Sequence, residues 1–427
     1  MNKIKSIFHE LRQKSLVRDS FWMLLSQCFS IVFQTFYFVL LARTLGAQEY
    51  GAFVGALSLA SIITPFSGWG GPHIIFKHVS KDRNLLNVYL GNALILIAAS
   101  APLLTILALL FSPIIFSGKV PLIVVLCTFV ADLIGLKLIE ASTASLMSTD
   151  SAKYAALIGI LLHGSKFSAA LIFSFLFSNH TVTTWALLYC SASLFAALVA
   201  ISVVIKRLGF PKFRVNTLKP ELLEGFYFSI SGFSDSINGS LDQTMLASIS
   251  TLKAAGIYNA AARFIGMAMV FMISFAGASY SKFFQHGAAG INGSWRFARK
   301  LLPLAFGYGI LIFFVFIFAA PFIPYLLGES FEEAVPILRW FAPLILMIAL
   351  SYLASDSLTG AGFQGVRSSI QVSSALLNFF LNLWLIPRYS VYGAVWATLA
   401  TELAKLVGLY TTVFILNRRQ IAKSSSL

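Results

Sequence analysis

Helix-length apolar runs recur along the whole of this 427-residue chain, separated only by short polar, glycine or proline segments. A helix needs about 20 apolar residues to cross the hydrocarbon core of a bilayer. Backbone polar groups in lipid must be satisfied within the protein, so long apolar runs cross as helices. An all-α polytopic membrane protein is therefore expected. Its twelve transmembrane helices are predicted near residues 21–43, 50–76, 87–112, 121–147, 153–178, 182–205, 222–250, 254–284, 300–326, 336–359, 369–386 and 391–416.

The charge pattern indicates how these helices are oriented. The chain is 58% hydrophobic and 11% charged, which excludes an ordinary water-soluble domain. Its formal net charge of +15 could suggest nucleic acid, but most basic residues lie in alternate breaks between apolar runs. By the positive-inside rule, both termini and the longest basic break are cytoplasmic, and no nucleic-acid partner is expected. The acidic residues Glu329, Glu332 and Glu333 then lie on the opposite side.

Two segments resemble each other six predicted spans apart. TLGAQEYGAFVGA (44–56) opens the second span, and TLKAAGIYNAA (251–261) opens the eighth. Because six is even, the two halves cross the membrane in the same direction, as in transporters with a pseudo-two-fold axis along the membrane normal. The predicted organisation is a cytoplasmic segment at 1–20, a six-helix lobe at 21–205, a basic linker at 206–221, a second six-helix lobe at 222–416 and a cytoplasmic tail at 417–427.

The seventh predicted span carries an unusually polar stretch, SGFSDSINGSLDQT (231–244). At about 100° per residue, Ser231, Asp235, Asn238 and Asp242 share one arc of the helix. An acidic residue near the bilayer centre costs roughly 2.5–3.5 kcal/mol on insertion scales. Two acids a heptad apart therefore favour a water-filled cavity along this face, although polar packing between helices is the alternative for the serines.

Charged residues also occur within other predicted spans. The pairs Lys137–Glu140 and Glu402–Lys405 have i, i+3 spacing, so they either neutralise each other or line the same path. Lys166 and Arg263 have no acidic neighbour in sequence, which makes them candidates to bind an anionic ligand or to pair with an acid on another helix. The full set of predicted cavity residues is Lys166, Arg263, Asp235, Asn238, Asp242, Asp132, Lys137, Glu140, Asp356, Glu402 and Lys405.

No motif for catalysis, metal binding or nucleotide binding accompanies these residues. The three cysteines lie in apolar runs without CxxC or Cys/His spacing, and no GxxxxGK[ST] loop is present. The sequence therefore predicts a non-enzyme without a cofactor, not driven directly by ATP. A coupling ion, either a proton or sodium, is left open.

Four blocks of the chain resemble recurring blocks of a known family. LARTLGAQEYGAF, AAGIYNAAARF, GESFEEAVPILRW and NLWLIPRYSVYGAVWATLATEL are similar to those of the polysaccharide-unit flippases, the Wzx-type O-antigen flippases of the multidrug/oligosaccharidyl-lipid/polysaccharide exporter superfamily. The resemblance implies two six-helix lobes around a central cavity in the bacterial inner membrane. It also implies transport of an undecaprenyl-diphosphate-linked oligosaccharide to the outer leaflet. The implied partners are this substrate, membrane lipid, and polysaccharide polymerase and chain-length proteins.

Two other functions stay open at this point. A cation-coupled multidrug antiporter of the same superfamily would use Asp235 or Asp242 to bind its coupling ion. A membrane polymerase or ligase of surface polysaccharide is a second alternative. It would be expected to carry catalytic groups on a sizeable outer loop, and the short predicted outer loops argue against it.

The predicted orientation can be tested with single cysteines in a chain whose native cysteines have been replaced. A membrane-impermeant thiol reagent applied from outside should label Glu332→Cys in intact cells, whereas Lys206→Cys should react only after permeabilisation. The reason is the concentration of basic residues on the cytoplasmic side. Labelling of position 332 only from inside would reverse the topology.

Overall fold

The computed structural model describes residues 2–149, 151–214 and 221–425, and the described residues are helical or irregular, with no strand among them. The predicted linker at 206–221 is therefore described in part. The side chains of residues 2–17 and of Asn238 also lie outside this description, so Asn238 stays a sequence prediction.

Contacts divide the chain into two compact units. Unit 1 comprises Met1–Leu45 and Ala52–Thr244, and unit 2 comprises Gly46–Gly51 and Met245–Leu427. Residues 222–244 of the seventh predicted span thus pack with unit 1, whereas the predicted second lobe, 222–416, includes the whole span.

Unit 1 is built from eight α-helices and one π-helical segment of the described chain. They are α1 (Asn2–Ile63, apart from its Gly46–Gly51 stretch in unit 2), α2 (Gly71–Val79), α3 (Leu86–Ile115), α4 (Leu122–Phe129), the π segment (Val130–Leu136), α5 (Lys137–Met147), α6 (Ala152–Leu176), α7 (Val182–Leu208) and α8 (Leu222–Ile249), the last as far as Thr244. Within α1, Gly46 leaves helical geometry with φ 71° and ψ 171°.

The described residues of unit 2 form seven further α-helices. They are α9 (Leu252–Gly287), α10 (Ile291–Ala319), α11 (Ile323–Leu327), α12 (Ala334–Phe341), α13 (Leu344–Gly360), α14 (Gln364–Tyr389) and α15 (Val391–Ser425). Two apolar clusters form its core: one joins α9, α10 and α13 around Phe283 and Leu353, and the other joins α10, α13 and α15 around Leu358 and Leu409.

The number of membrane crossings agrees with the prediction. Among the described residues, ten helical stretches are long and apolar enough to span a membrane. The first of them, Arg18–Phe66, has 49 residues and is long enough for two crossings at 1.5 Å per residue. The ten stretches therefore provide eleven crossings. The polar helix α8 is not among the ten and adds a twelfth, so a twelve-helix membrane protein is confirmed in outline.

The second predicted span differs from its expected form. Instead of one helix over 50–76, α1 ends at Ile63, a 3₁₀ turn covers Thr64–Phe66, and α2 begins only at Gly71. Pro65 has no N–H to continue the helix, and Gly68, Trp69 and Gly70 all have positive φ between 49° and 71°. The chain is therefore irregular at this point rather than merely kinked at proline.

A buried aromatic cluster holds α7 against α1 and α6. The Trp185 ring is fully buried, with its centroid 5.6 Å from that of Tyr37, 5.8 Å from Phe53 and 5.7 Å from Phe173. Aromatic side chains contribute large buried areas and directional ring contacts. Tyr189 lies one turn further along α7, so this cluster also determines where its hydroxyl group is placed.

The two repeated segments pack directly on each other within unit 2. A Cβ atom on Gly51 would lie 1.7 Å from the Leu252 carbonyl oxygen, and one on Gly256 would lie 2.2 Å from that of Ala47. The two contacts are equivalent to each other under the repeat, because Leu252 follows Ala47 by 205 residues and Gly256 follows Gly51 by the same number. Close backbone approach at small residues is the usual way in which membrane helices associate. The repeat is therefore a symmetric packing motif.

This contact predicts a sharp intolerance to a single methyl group. Gly51→Ala and Gly256→Ala should each destabilise the protein by about 1–3 kcal/mol or more, because the obstructing atoms are backbone and cannot rotate away. Gly266→Ala, also on α9 but with nothing within 4 Å, is the matched control and should be neutral or slightly stabilising. Thermal unfolding of the purified protein provides the measurement. Equal melting temperatures for all three variants would contradict the backbone contact.

Candidate functional site

Unit 1 contains a partly open cavity of about 530 Å³. Its walls come from the end of α1, the break and α2, the π segment with α5, and α8. The lining residues are Ser61, Thr64, Pro65, Gly70, Pro72, His73, Phe76, Asp132, Leu136, Lys137, Glu140, Thr143, Ala144, Phe228, Ser229, Gly232 and Ser236.

The break between α1 and α2 forms one side of this cavity because it lies directly on α8. Trp69 Nε1 donates to the Leu222 carbonyl oxygen at 2.9 Å. A Cβ atom on Gly70 would be 2.7 Å from the Gly225 carbonyl oxygen, and one on Gly225 would be 2.3 Å from that of Trp69. The left-handed conformation at Gly70 and the absence of a side chain on Gly225 thus bring α2 next to the start of α8.

The opposite wall carries the charged groups. Lys137 Nζ donates to Glu140 Oε2 at 2.7 Å, and both side chains line the cavity. Asp132 precedes them in the π segment and is only 6% exposed. A π turn changes the helical register, and such turns frequently occur at functional sites. The predicted set Asp132, Lys137 and Glu140 is therefore brought together at one cavity.

Lys166 lies behind this wall and is linked to Asp132 through a tyrosine. Tyr189 Oη donates to Asp132 Oδ1 at 3.0 Å and accepts a hydrogen bond from Lys166 Nζ at 2.9 Å. The ammonium group also lies 4.2 Å from the centroid of the Tyr189 ring. Lys166 is thus linked to Asp132 on another helix through Tyr189, and it is not among the residues lining the unit 1 cavity, so its predicted contact with an anionic ligand stays a prediction.

Three ring side chains of the cavity were not singled out from sequence. The rings of His73 and Phe228 stack with centroids 4.8 Å apart and planes 17° from parallel, and Phe76 lies one helical turn beyond His73. His73 follows Pro72 in the first turn of α2. The available signal was the segment SGWGGPH itself, in which glycines and a proline break an apolar run just before a polar ring.

The face of α8 that lines the unit 1 cavity lies beside the face that carries its acids. Ser229, Gly232 and Ser236 line the cavity, and Ser240 and Gln243 bond to Ser61 and Ser58 of α1 at 3.3 and 2.8 Å. Asp235 is exposed and lies about 100° around the helix from Ser236. Asp242 is half-buried and takes part in a polar or electrostatic interaction. Neither acid lines the unit 1 cavity, so their role in a cavity stays a prediction.

The remaining predicted residues lie in unit 2, where each has a polar partner. Arg263 is hydrogen-bonded to Tyr50, whose hydroxyl donates to Asn259 Oδ1 at 2.6 Å. The buried Asp356 Oδ1 lies 3.6 Å from Arg367 Nη1, and Arg367 belongs to the break between the predicted spans 336–359 and 369–386. Lys405 Nζ and Glu402 Oε2 are 2.6 Å apart, as their spacing predicts.

Side-chain pairs connect the end of α2 to the beginning of α8. Lys77 bonds to Glu224, and this hydrogen bond raises the pKa of the Lys77 amine. His78 Nε2 lies 2.9 Å from Glu221 Oε1, and the His78 ring stacks on Tyr89 at 4.4 Å. These contacts fix the rim of the cavity beside the break.

The chain is similar to several known membrane proteins over most of its length. MJ1068, an uncharacterized membrane protein of Methanocaldococcus jannaschii, is 21% identical over 421 residues, covering 90% of this chain and 80% of that protein. An inward-facing multidrug resistance MATE family transporter of the MOP superfamily matches with a TM-score of 0.72 at 16% identity, over 90% of this chain and 96% of that chain. The lipid II flippase MurJ in an inward closed conformation gives a TM-score of 0.70 at 15% identity, over 92% and 87% of the two chains. At these identities the two structures show a shared fold.

The family itself is shown by sequence. Residues 16–285, more than half of the chain, match the profile of a family described as polysaccharide biosynthesis protein. This match includes two of the four blocks that carried the resemblance, and it spans the cavity residues of unit 1. The prediction of family is confirmed: this multi-pass membrane chain belongs to the polysaccharide biosynthesis protein family and has the fold of the MOP superfamily transporters.

Proposed function

We propose that this protein is a flippase for lipid-linked oligosaccharides. Its substrate would be an undecaprenyl-diphosphate-linked repeat unit, moved from the cytoplasmic to the periplasmic leaflet of a bacterial inner membrane by alternating access. The product would serve the synthesis of surface polysaccharide such as O-antigen, capsule or exopolysaccharide. Polymerase and chain-length proteins are proposed as downstream partners, and the chain itself is proposed to be a transporter rather than an enzyme.

The observation that carries this proposal is the mixed lining of the unit 1 cavity. Lys137 supplies an ammonium group for a diphosphate, and Asp132 and Glu140 supply acceptors for sugar hydroxyl groups. Phe76 and Phe228 supply aromatic faces. A volume of about 530 Å³ lies within the usual range for ligand sites, about 300–1,000 Å³. The prenyl chain needs none of these groups and would stay in lipid.

The charge balance of the site supports binding that is reversible. Lys137 already bonds to Glu140 at 2.7 Å, so a diphosphate would share or displace that bond instead of meeting an isolated buried cation. An uncompensated charge in this environment is costly. Exchange of one anionic partner for another keeps the Lys137 ammonium group partnered in both the loaded and the empty states.

A coupling ion, proton or sodium, is proposed to act on the acidic groups of the spans. Asp132 is the best placed of them in unit 1, because it faces the cavity and accepts from Tyr189, which also bonds to Lys166. Neutralising Asp132 would change the charge of the cavity wall and of the Lys166 network together. Asp235, Asn238, Asp242, Arg263, Asp356, Glu402 and Lys405 stay predictions for other parts of the path.

Accumulated intermediates in a deletion strain would test the function. We expect complete, unpolymerised repeat units on undecaprenyl diphosphate to accumulate in the inner leaflet, where an impermeant glycan-modifying reagent cannot reach them in spheroplasts. Repeat units already exposed outside would indicate a polymerase or ligase. Increased drug sensitivity without accumulated intermediates would instead indicate the multidrug antiporter.

Lys137 provides a sharper test of the cavity. The double variant Lys137→Met/Glu140→Gln removes both charges, so no single charge is left uncompensated, and it should lower export about tenfold or more, the effect of losing a charge-assisted hydrogen bond. Lys137→Arg should retain more export than the double variant. The measurement is surface polysaccharide per unit of protein in the membrane.

A matched control removes an equivalent ion pair outside the cavity. Lys253 Nζ and Glu333 Oε1 are 2.6 Å apart on an exposed surface of unit 2, so Lys253→Met/Glu333→Gln should leave export close to wild type. Equal losses in the two double variants, or normal export without the Lys137 pair, would count against the assignment of the unit 1 cavity as the substrate site.

A further inference from the structure

The segment 206–214, KRLGFPKFR, forms an unusual surface at the end of α7, and we call it the strap. All four of its basic residues are exposed, and between them Phe210 and Phe213 are 76% and 62% exposed. Large aromatic side chains directed outward beside cations suit neither a packed core nor a fully hydrated surface. Such a surface requires a partner that is apolar and anionic at once.

The strap is held in place by its backbone, which leaves its side chains to face outward. The Lys212 N–H donates to the Asn87 carbonyl oxygen at 2.7 Å, and the Arg214 N–H donates to Asn92 Oδ1 at 3.2 Å. A Cβ atom on Gly91 would lie 2.4 Å from the Lys212 carbonyl oxygen, so the strap lies directly on the first turns of α3. Gly209, with φ 94°, ends α7 and directs the chain onto α3.

The position along α3 places the strap near a membrane surface. The apolar stretch that contains α3 begins at Arg83, and the strap contacts it at Asn87–Asn92, within about two turns of its beginning. Lys81 and Arg83 are also exposed at this end. Of the nearby acids, Glu221 and Glu224 pair with His78 and Lys77, and Asp82 accepts from the Asn84 N–H. The local excess of charge is therefore positive.

We propose that the strap is a binding site for anionic phospholipid headgroups of the leaflet that it faces. Basic side chains next to a membrane are attracted to anionic lipid, and aromatic rings at the same level insert among the upper acyl segments. The strap combines both features on a backbone already fixed by hydrogen bonds. This inference does not depend on the transported substrate, and it assigns to the connection following α7 a role as a lipid anchor.

The test uses the full-length chain without native cysteines, with an environment-sensitive nitrobenzoxadiazole label on Phe213→Cys, in nanodiscs. Phosphatidylglycerol is added in increasing proportion to phosphatidylcholine, with spin-labelled lipids as quenchers. We expect the label to be quenched most strongly by lipids labelled near the headgroup, and increasingly so as phosphatidylglycerol rises. Lys206→Gln/Lys212→Gln should weaken the apparent affinity of the strap for phosphatidylglycerol by roughly 25-fold. Each basic residue near an anionic surface contributes about fivefold, so two contribute about five times five.

Arg207 and Arg214 are retained in this test because Arg207 stacks on Tyr154 and Arg214 takes part in another polar contact. The matched control, Lys282→Gln/Lys300→Gln, removes the same charge from two exposed lysines away from the strap, one near the end of α9 and one in α10, and should leave the response unchanged. An equal effect of both double variants would show general electrostatics and overturn the site. A label that stays unquenched in every lipid would show that the strap faces water, which would overturn the proposal.

Discussion

Two hydrogen bonds meet at the Tyr189 hydroxyl, which accepts from Lys166 and donates to Asp132. A charged side chain within a membrane-spanning bundle costs several kilocalories per mole unless it is partnered or hydrated. The tyrosine meets this requirement for both charges at once. Its position depends on the aromatic cluster around Trp185, which packs α7 against α1 and α6. The hydrogen bonds between Lys166, Tyr189 and Asp132 therefore depend on the packing of the apolar core of unit 1.

A parallel requirement, that backbone polar groups in a membrane also need partners, explains where unit 1 departs from regular helix. Its two main irregularities, the break that follows α1 and the π segment before α5, both contribute residues to one cavity. In the hydrocarbon region, backbone groups that leave regular helical bonding are tolerated where they are buried in protein or border a water-filled space. The positive φ values at Gly68, Trp69 and Gly70 belong to this arrangement. Irregular backbone, buried charge and the cavity thus occur together.

The candidate site shows which inferences from sequence were sound. Asp132, Lys137 and Glu140 were recognised because charges within apolar runs are rare, and they line one cavity. Lys166 was recognised for the same reason, but its partner Tyr189 lies on another helix and could not be found from spacing. His73, Phe76 and Phe228 were missed because aromatic residues are abundant throughout such a chain. On α8 the acids marked the polar helix, whereas the cavity is lined by its neighbouring face of glycine and serine.

The amino-acid sequence by itself determined the class of fold, the number of crossings and the family, because length, hydropathy and recurring blocks are properties of single segments. It also indicated the repeat at 44–56 and 251–261. Only the tertiary structure showed that Gly51 and Gly256 are required there by backbone contacts. Tertiary structure likewise decided which polar residues share a cavity, since helix rotation, the π turn and the break after Ile63 depend on packing between distant segments. Interactions within a helix repeat with a short period that can be read from sequence, but contacts between helices have no such period.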